Sequence, residues 1–424
     1  MEGAGSTPPG WLAGLKHLWR PYAQMKNAPP PLAVAHTSGC RIFLEDGRSL
    51  IDGTASWWTA CHGYNHAHIE AAVAYQLQRM PHVIMAGLVH EQATKLAARL
   101  AALLPGEFDH VFFSESGSVA VEIALKMAAQ YWRNRGENRR AFVAFTGGYH
   151  GDTLGAMAVS DPATGMQGRL AGSIPHQFIR ELPRDPDSTA RLDDFLAAQA
   201  SEIAAIVVEP LVQGAGGMVF HNPTVLKTLR ALADRYSILL IFDEIFTGFG
   251  RTGTMFAMEA AGVVPDIVTL SKALTGGALA LAATVASRRV YDGFLSDDAA
   301  AALMHGPTYM GNALACAAAN ASLDLFEREP RLDQVAKIAA ALRQGLEPCR
   351  ALPGVKDLRV KGAIGVVELD RIGNLNALRQ RFIAEGVFIR PFGSIVYLTP
   401  AFTIADDELA KLTDTIVRVL AESC

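Results

Sequence analysis

Ser237-Ile-Leu-Leu-Ile-Phe-Asp243 and Ile267-Val-Thr-Leu-Ser-Lys272 are two short apolar runs, each ending on one ionisable side chain. Both are too short for a helix and apolar throughout, the pattern of a strand buried on both faces of a sheet. Helical patterns separate such runs along much of the chain, which predicts parallel strands covered by helices on either side. Sheets of that kind bind their ligands beyond the carboxyl ends of the strands. Asp243 and Lys272 are therefore expected on one ligand-binding edge.

Outward from these runs, His110 to Phe113, Ala141 to Phe145 and Ala204 to Val208 read as further strands, and Val119 to Arg133 as a helix. Near the start, Arg41 to Asp52 reads as a hairpin turning at Asp46-Gly47. From about Ala313 the pattern changes to a long helix, strands over Gly362 to Glu368 and Phe388 to Leu398, and a closing helix. The expected fold class is α/β, with a large doubly wound, mainly parallel sheet domain over 63–312. A smaller α+β domain is expected over 313–424, with the N-terminal segment 1–62 packing against it.

A chain of 424 residues, 50% of them hydrophobic and 19% charged, has the balance of a folded enzyme. Its net charge of −4 comes from interspersed signs, which argues against nucleic acid or an anionic membrane as partner. No apolar run reaches the ~18–20 residues of a membrane span, and Met1 to Gly10 lacks the basic and apolar regions of a secretory signal. Cys40, Cys61, Cys316, Cys349 and Cys424 are scattered and odd in number, as free thiols of a reducing cytoplasm would be.

Three groups fall at predicted strand ends. Ser116-Gly117-Ser118 leads into the helix at Val119, where free backbone N–H groups and the positive helix end suit a phosphate, though a plain N-cap explains the residues equally. At Asp243 a carboxylate can hold a protonated aromatic nitrogen, or simply cap a turn. A lysine at the buried position 272 would lose basicity by desolvation and gain nucleophilicity. Gly248-Phe-Gly-Arg-Thr-Gly253 matches the dinucleotide fingerprint G-x-G-x-x-G in letters. It lacks the tight turn directly after a strand and the later acidic residue, so a nicotinamide cofactor is rejected. His62, His66 and His68 sit in a Gly/Asn-rich loop without an evident acidic partner. They read as solvated or turn-bonded histidines, not as a metal site.

Ile241-Phe-Asp-Glu-Ile-Phe-Thr-Gly-Phe-Gly-Arg-Thr-Gly253 followed by Pro265-Asp-Ile-Val-Thr-Leu-Ser-Lys-Ala-Leu-Thr-Gly-Gly277 resembles the class III, fold-type I aminotransferases dependent on pyridoxal 5′-phosphate. The likeness runs from about Trp19 to the C-terminus. It implies that Lys272 carries the cofactor, that Asp243 pairs with its ring nitrogen and that Tyr149 stacks on the ring. Gly117 and Ser118 would cradle the phosphate, Glu209 would lie close by, and Thr308 would reach the cofactor of a second subunit. A homodimer with sites at the interface follows from that role.

Within the family, the branch that aminates 7-keto-8-aminopelargonate in biotin biosynthesis is the one resembled. Trp19-Arg-Pro-Tyr22, Trp57-Trp58, Tyr149-His-Gly-Asp152, Gly362 to Glu368 and Ile389-Arg-Pro-Phe-Gly393 carry this likeness. It assigns Tyr22, Trp57, Trp58, Tyr149, Asp152, Gly306, Arg390 and Tyr397 to the substrate pocket. Ornithine and GABA aminotransferases carry a glutamate where Ala215 stands, so their salt-bridge switch is not expected. A linear keto acid needs an apolar trough with one cation at its end; the aromatic residues offer walls and Arg390 a planar carboxylate clamp. Two adjacent tryptophans cannot both face inward from a regular strand, so one is expected to line a cavity. The branch generally uses S-adenosylmethionine as amino donor and some relatives use lysine. Another ω-aminotransferase, or a binding protein of this fold that has lost catalysis, are the rival readings.

Overall fold

The computed structural model describes residues 10–163, 168–170, 173–175 and 177–423, so Met1 to Pro9 and Cys424 lie outside it. Strands β1 (Val34–Ser38), β2 (Arg41–Leu44) and β3 (Ser49–Asp52) form an antiparallel meander. Its second turn is at Asp46-Gly47, where Gly47 adopts φ 84°, open to a residue without Cβ. Then follow β4 (Phe108–Ser114), β5 (Ala141–Phe145), β6 (Phe178–Arg180), β7 (Ile203–Val208), the short pair β8 (Val212–Gln213) and β9 (Val219–Phe220), β10 (Leu239–Asp243), β11 (Ile267–Leu270) and β12 (Ala282–Ser287). The chain closes with β13 (Val355–Lys361), β14 (Ile364–Leu369), β15 (Val387–Phe388) and β16 (Ile395–Leu398).

Seven strands build the main sheet in the order β4-β12-β11-β10-β7-β5-β6. Only β12 runs antiparallel to its neighbours. Every side chain of β7, β10 and β11 is buried, and helix Gly117–Asn134 packs across β7, β11 and β12. Burying one large aliphatic side chain of such strands contributes roughly 1.5–3 kcal/mol, which is why the central strands are apolar apart from Thr269, whose hydroxyl is hydrogen-bonded to Asp243, and Asp243 itself at the end of β10. The sheet is thus mainly parallel and covered by helices, as the runs of the sequence imply.

The expected single strand from Phe388 to Leu398 is instead two. β15 joins the N-terminal meander, pairing parallel with β3, whereas β16 pairs antiparallel with β14. Pro391, which has no N–H to donate, and Gly393, at φ 53°, break the run. Arg390 consequently lies on the connection between two sheets, beside the segment that follows β3.

The histidine loop also differs from expectation. His66 caps helix Ala67–Arg79 by accepting from His68 N, and its ring lies 3.8 Å from Glu329. His68 pairs with Asp324 at 2.9 Å, so acidic partners do stand nearby. His62 is not solvated but buried, accepting from Arg331 Nε at 3.0 Å and lying 3.0 Å from Ser322 Oγ. Burial, then the Arg331 charge, push its pKa down to about 3. Among the described residues no helix is long and apolar enough to cross a membrane.

Candidate active site

Strand β10 delivers Asp243 and strand β11 is followed at once by Ser271 and Lys272, in parallel register with Asp243 opposite Thr269. Asp243 is buried, and accepts from Ile245 N at 3.1 Å and Thr269 Oγ1 at 3.3 Å through Oδ1. Its other oxygen, Oδ2, lies 2.7 Å from Nδ1 of the equally buried His150. Burial opposes charge on His150, but the hydrogen bond to Asp243, the charge of Asp243 and that of Glu209 outweigh it and raise the pKa. The hydrogen bond thus pulls His150 toward its protonated form against the cost of its burial. His150 was not singled out from sequence, because nothing local marks a histidine whose partner lies far along the chain.

Glu209 follows β7 and accepts from Tyr149 N at 3.0 Å and Gly214 N at 2.9 Å. Burial, with Asp243 as a nearby like charge, pushes its carboxyl up to about 7 against the counter-pull of His150 and the two amides. Lys272 has a left-handed backbone, φ 46°, and burial lowers its amine pKa while Asp243 and Glu209 oppose the shift. Its Nζ lies 4.9 Å from the centre of the Trp58 ring and has no hydrogen-bond or ion-pair partner among the described residues.

Gly117 and Ser118 open helix Gly117–Asn134, and Ser116 caps it by accepting from Val119 N. A Cβ on Gly117 would meet Ile245 at 3.0 Å, so the residue after Asp243-Glu244 packs directly on this helix start. Ser118 Oγ accepts from Asp152 N at 3.1 Å, and Gly151, at φ 129°, passes so close that a Cβ there would strike it. The N-cap reading and an open helix N-terminus coexist here.

Trp57 and Trp58 belong to no strand. Ala55, Ser56, Trp57 and Trp58 all have positive φ, 45°, 47°, 55° and 75°, a full turn wound left. Such a conformation costs roughly 1–2 kcal/mol per residue, and Asp52 offsets it with four hydrogen bonds, from Thr54 N, Thr54 Oγ1, Ser56 N and the Tyr64 hydroxyl. The turn buries Trp58 against Phe246, with ring centres 4.1 Å apart, and leaves Trp57 41% exposed. The Arg390 guanidinium lies 5.4 Å from the Trp57 ring. Tyr397, on β16 and buried, meets Trp58 edge-on at 6.4 Å. Tyr22, itself half-exposed, hydrogen-bonds Asp152, lies 3.5 Å from the Tyr149 hydroxyl and meets Trp57 edge-on at 6.1 Å.

Pairwise contacts thus link Lys272 to Trp58 and Trp58 to Tyr397, Tyr149 to Glu209 and Tyr22, and Tyr22 to Asp152 and Trp57, with Arg390 against Trp57. Gly306 and Thr308 stand apart from this hydrogen-bond network. They are exposed on the loop before helix Ala313–Arg328, flanked by Met304, 78% exposed, and Tyr309, 57% exposed.

The chain is 45% identical over 413 residues to the adenosylmethionine-8-amino-7-oxononanoate aminotransferase of Mycobacterium leprae, covering 95% of this chain and 94% of the relative. It is 42% identical to the protein of the same name from Buchnera aphidicola of the host Acyrthosiphon pisum, over 96% of both chains. The crystal structure of that aminotransferase from Methanocaldococcus jannaschii superposes with a TM-score of 0.92 at 29% identity, covering 97% of this chain and 98% of that one. A PLP-bound amine transaminase from an uncultivated Pseudomonas species superposes with a TM-score of 0.89 at 32% identity, covering 96% and 99%. Residues 22–420 match the aminotransferase class-III family, and the chain belongs to it.

Proposed function

We propose that this protein is the aminotransferase that converts 7-keto-8-aminopelargonate to 7,8-diaminopelargonate in biotin biosynthesis, with pyridoxal 5′-phosphate as cofactor and S-adenosylmethionine as amino donor. The single observation that carries the chemistry is the partnerless amine of Lys272, enclosed beside Trp58 and facing the carboxyls of Asp243 and Glu209. Burial without a partner disfavours the ammonium and favours the neutral amine, the form that would condense with an aldehyde cofactor, water leaving. The residues present fit the group: Gly117, Ser118 and the helix N-terminus for its phosphate, Asp243 for its ring nitrogen, Tyr149 for its ring face.

When bound, pyridoxal phosphate supplies an electron sink for the carbon that loses its proton. Lys272 Nζ, its pKa lowered by desolvation, takes that proton and returns it. Asp243 holds positive charge on the ring nitrogen, and His150 fixes the carboxylate that does so. Glu209 ties the backbone of Tyr149 to that of Gly214, which keeps the Tyr149 ring in place. Trp57, Trp58 and Tyr22 line an apolar trough, and Arg390 clamps the substrate carboxylate at its end. The segment 1–62 and the C-terminal part 313–424 act together as the lobe that carries this rim. Gly306 and Thr308, exposed among apolar neighbours, serve the site of a second subunit in a cytoplasmic homodimer.

The visible absorption of the cofactor-loaded protein tests the reading. S-adenosylmethionine should bleach the band and 7-keto-8-aminopelargonate should restore it. No bleaching by S-adenosylmethionine, with bleaching by lysine, reassigns the donor. Failure of the keto acid to restore the band after any donor removes the protein from this step.

A further inference from the structure

Arg379, on helix Leu375–Ala384, directs both Nε and Nη2 at the carbonyl of Pro391, at 3.2 and 2.7 Å. Its Nη1 donates to Asn376 Oδ1 at 3.3 Å. A guanidinium fork therefore grips the carbonyl of Pro391, the residue that follows Arg390, in the peptide between Pro391 and Phe392. Proline fixes its own φ and restricts the residue before it, so holding this carbonyl sets the direction in which Arg390 leaves the backbone. Arg390 makes no hydrogen bond or ion pair of its own among the described residues; the Trp57 ring lies against it.

Here a cavity of about 530 Å³ opens beneath the N-terminal segment. Its walls mix apolar side chains, Leu44, Leu50, Ile383 and Phe388 among them, with the amides of Gln24, Asn27, Asn376 and Gln380, and its cations are Arg20, Arg379 and Arg390. No aspartate or glutamate lines it. Burial and the neighbouring Arg390 charge depress the Arg379 pKa. Three guanidinium groups line one space without a carboxylate among its walls, an arrangement that a carboxylate relieves and a neutral ligand does not.

We propose that Arg379 is a positioning and specificity-determining residue: it fixes Arg390 through the Pro391 carbonyl and backs it with a second positive charge, so that the cleft selects linear substrates ending in an anion. The inference rests on the reading of Arg390 as the carboxylate clamp. The test compares 7-keto-8-aminopelargonate with its methyl ester as acceptor for the holoenzyme and for R379M, R379K and R390M. For R379M the preference for acid over ester, as a ratio of kcat/KM, should fall about tenfold, equivalent to ~1.4 kcal/mol, and chiefly through the KM of the acid. R379K keeps the charge and one donor and should recover part of the preference; it also carries the test if R379M does not fold. Equal losses on acid and ester in both Arg379 variants would mean a merely structural role and overturn the inference. Loss of preference in R390M with none in the Arg379 variants overturns it alone. An R390M that discriminates as the parent does overturns the clamp reading, and the inference with it.

Discussion

Asp243 and Arg390 are side chains of opposite charge type, and the chain treats them in opposite ways. The carboxyl of Asp243 is buried at a strand end and held there by His150, Thr269 and the Ile245 amide. The guanidinium of Arg390 is half-buried on a connection between two small sheets, free of polar partners and fixed only through its backbone. A group that holds one charge through every turnover is locked by its own hydrogen bonds. The guanidinium of Arg390 is left with its donors open, and the backbone beside it is held from behind by Arg379. The contrast predicts that damage at the strand ends falls on kcat and damage at the rim falls on substrate choice.

The largest effect should come from the inner end. K272A removes the proton carrier, and kcat should drop by at least about a thousandfold; a variant within tenfold of the parent would break the comparison. H150N keeps a hydrogen bond to Asp243 but not the cationic partner. Its kcat should fall roughly ten- to a hundredfold while the acid-over-ester preference stays put, and a change in that preference would show that the two ends are coupled. The smallest effect concerns stability. Glu244, next to Asp243, is fully buried and accepts from Thr247 Oγ1, Ala257 N and Met258 N. Burial raises its carboxyl from 4.5 to about 7 despite those bonds. The folded state thus holds a proton that the unfolded chain gives up first, and the stability this confers is complete below pH 4.5 and lost as pH rises through 7. E244Q should flatten the decline of melting temperature across that window by about 1–2 °C, measured on the cofactor-free protein. Some slope should persist, since Glu209 titrates in the same range; an unchanged slope would place the buried proton elsewhere.

Much of the sheet was legible because its central strands are apolar runs with a single ionisable residue at the end, as Ser237 to Asp243 and Ile267 to Lys272 are. β12 was missed: Ala282–Ser287 is small and mixed, and its antiparallel direction follows from the return of the chain after Lys272. Phe388 to Leu398 read as one strand because its apolar residues continue across Pro391 and Gly393, whereas the backbone divides there between two sheets. The left-handed turn had no mark at all. No glycine stands among Ala55 to Trp58, and the compensation lies in the contacts of Asp52, a tertiary arrangement. The Asp243–His150 pair and the grip of Arg379 on Pro391 likewise depend on which distant segments meet, information that local pattern does not contain.

That turn also joins two contacts. Trp58 sits against Lys272 and its covalent neighbour Trp57 against Arg390, and consecutive Cα atoms are held about 3.8 Å apart. Lys272 and Arg390 are therefore met by two adjacent links of one chain, so a shift of the left-handed turn would displace both tryptophans together.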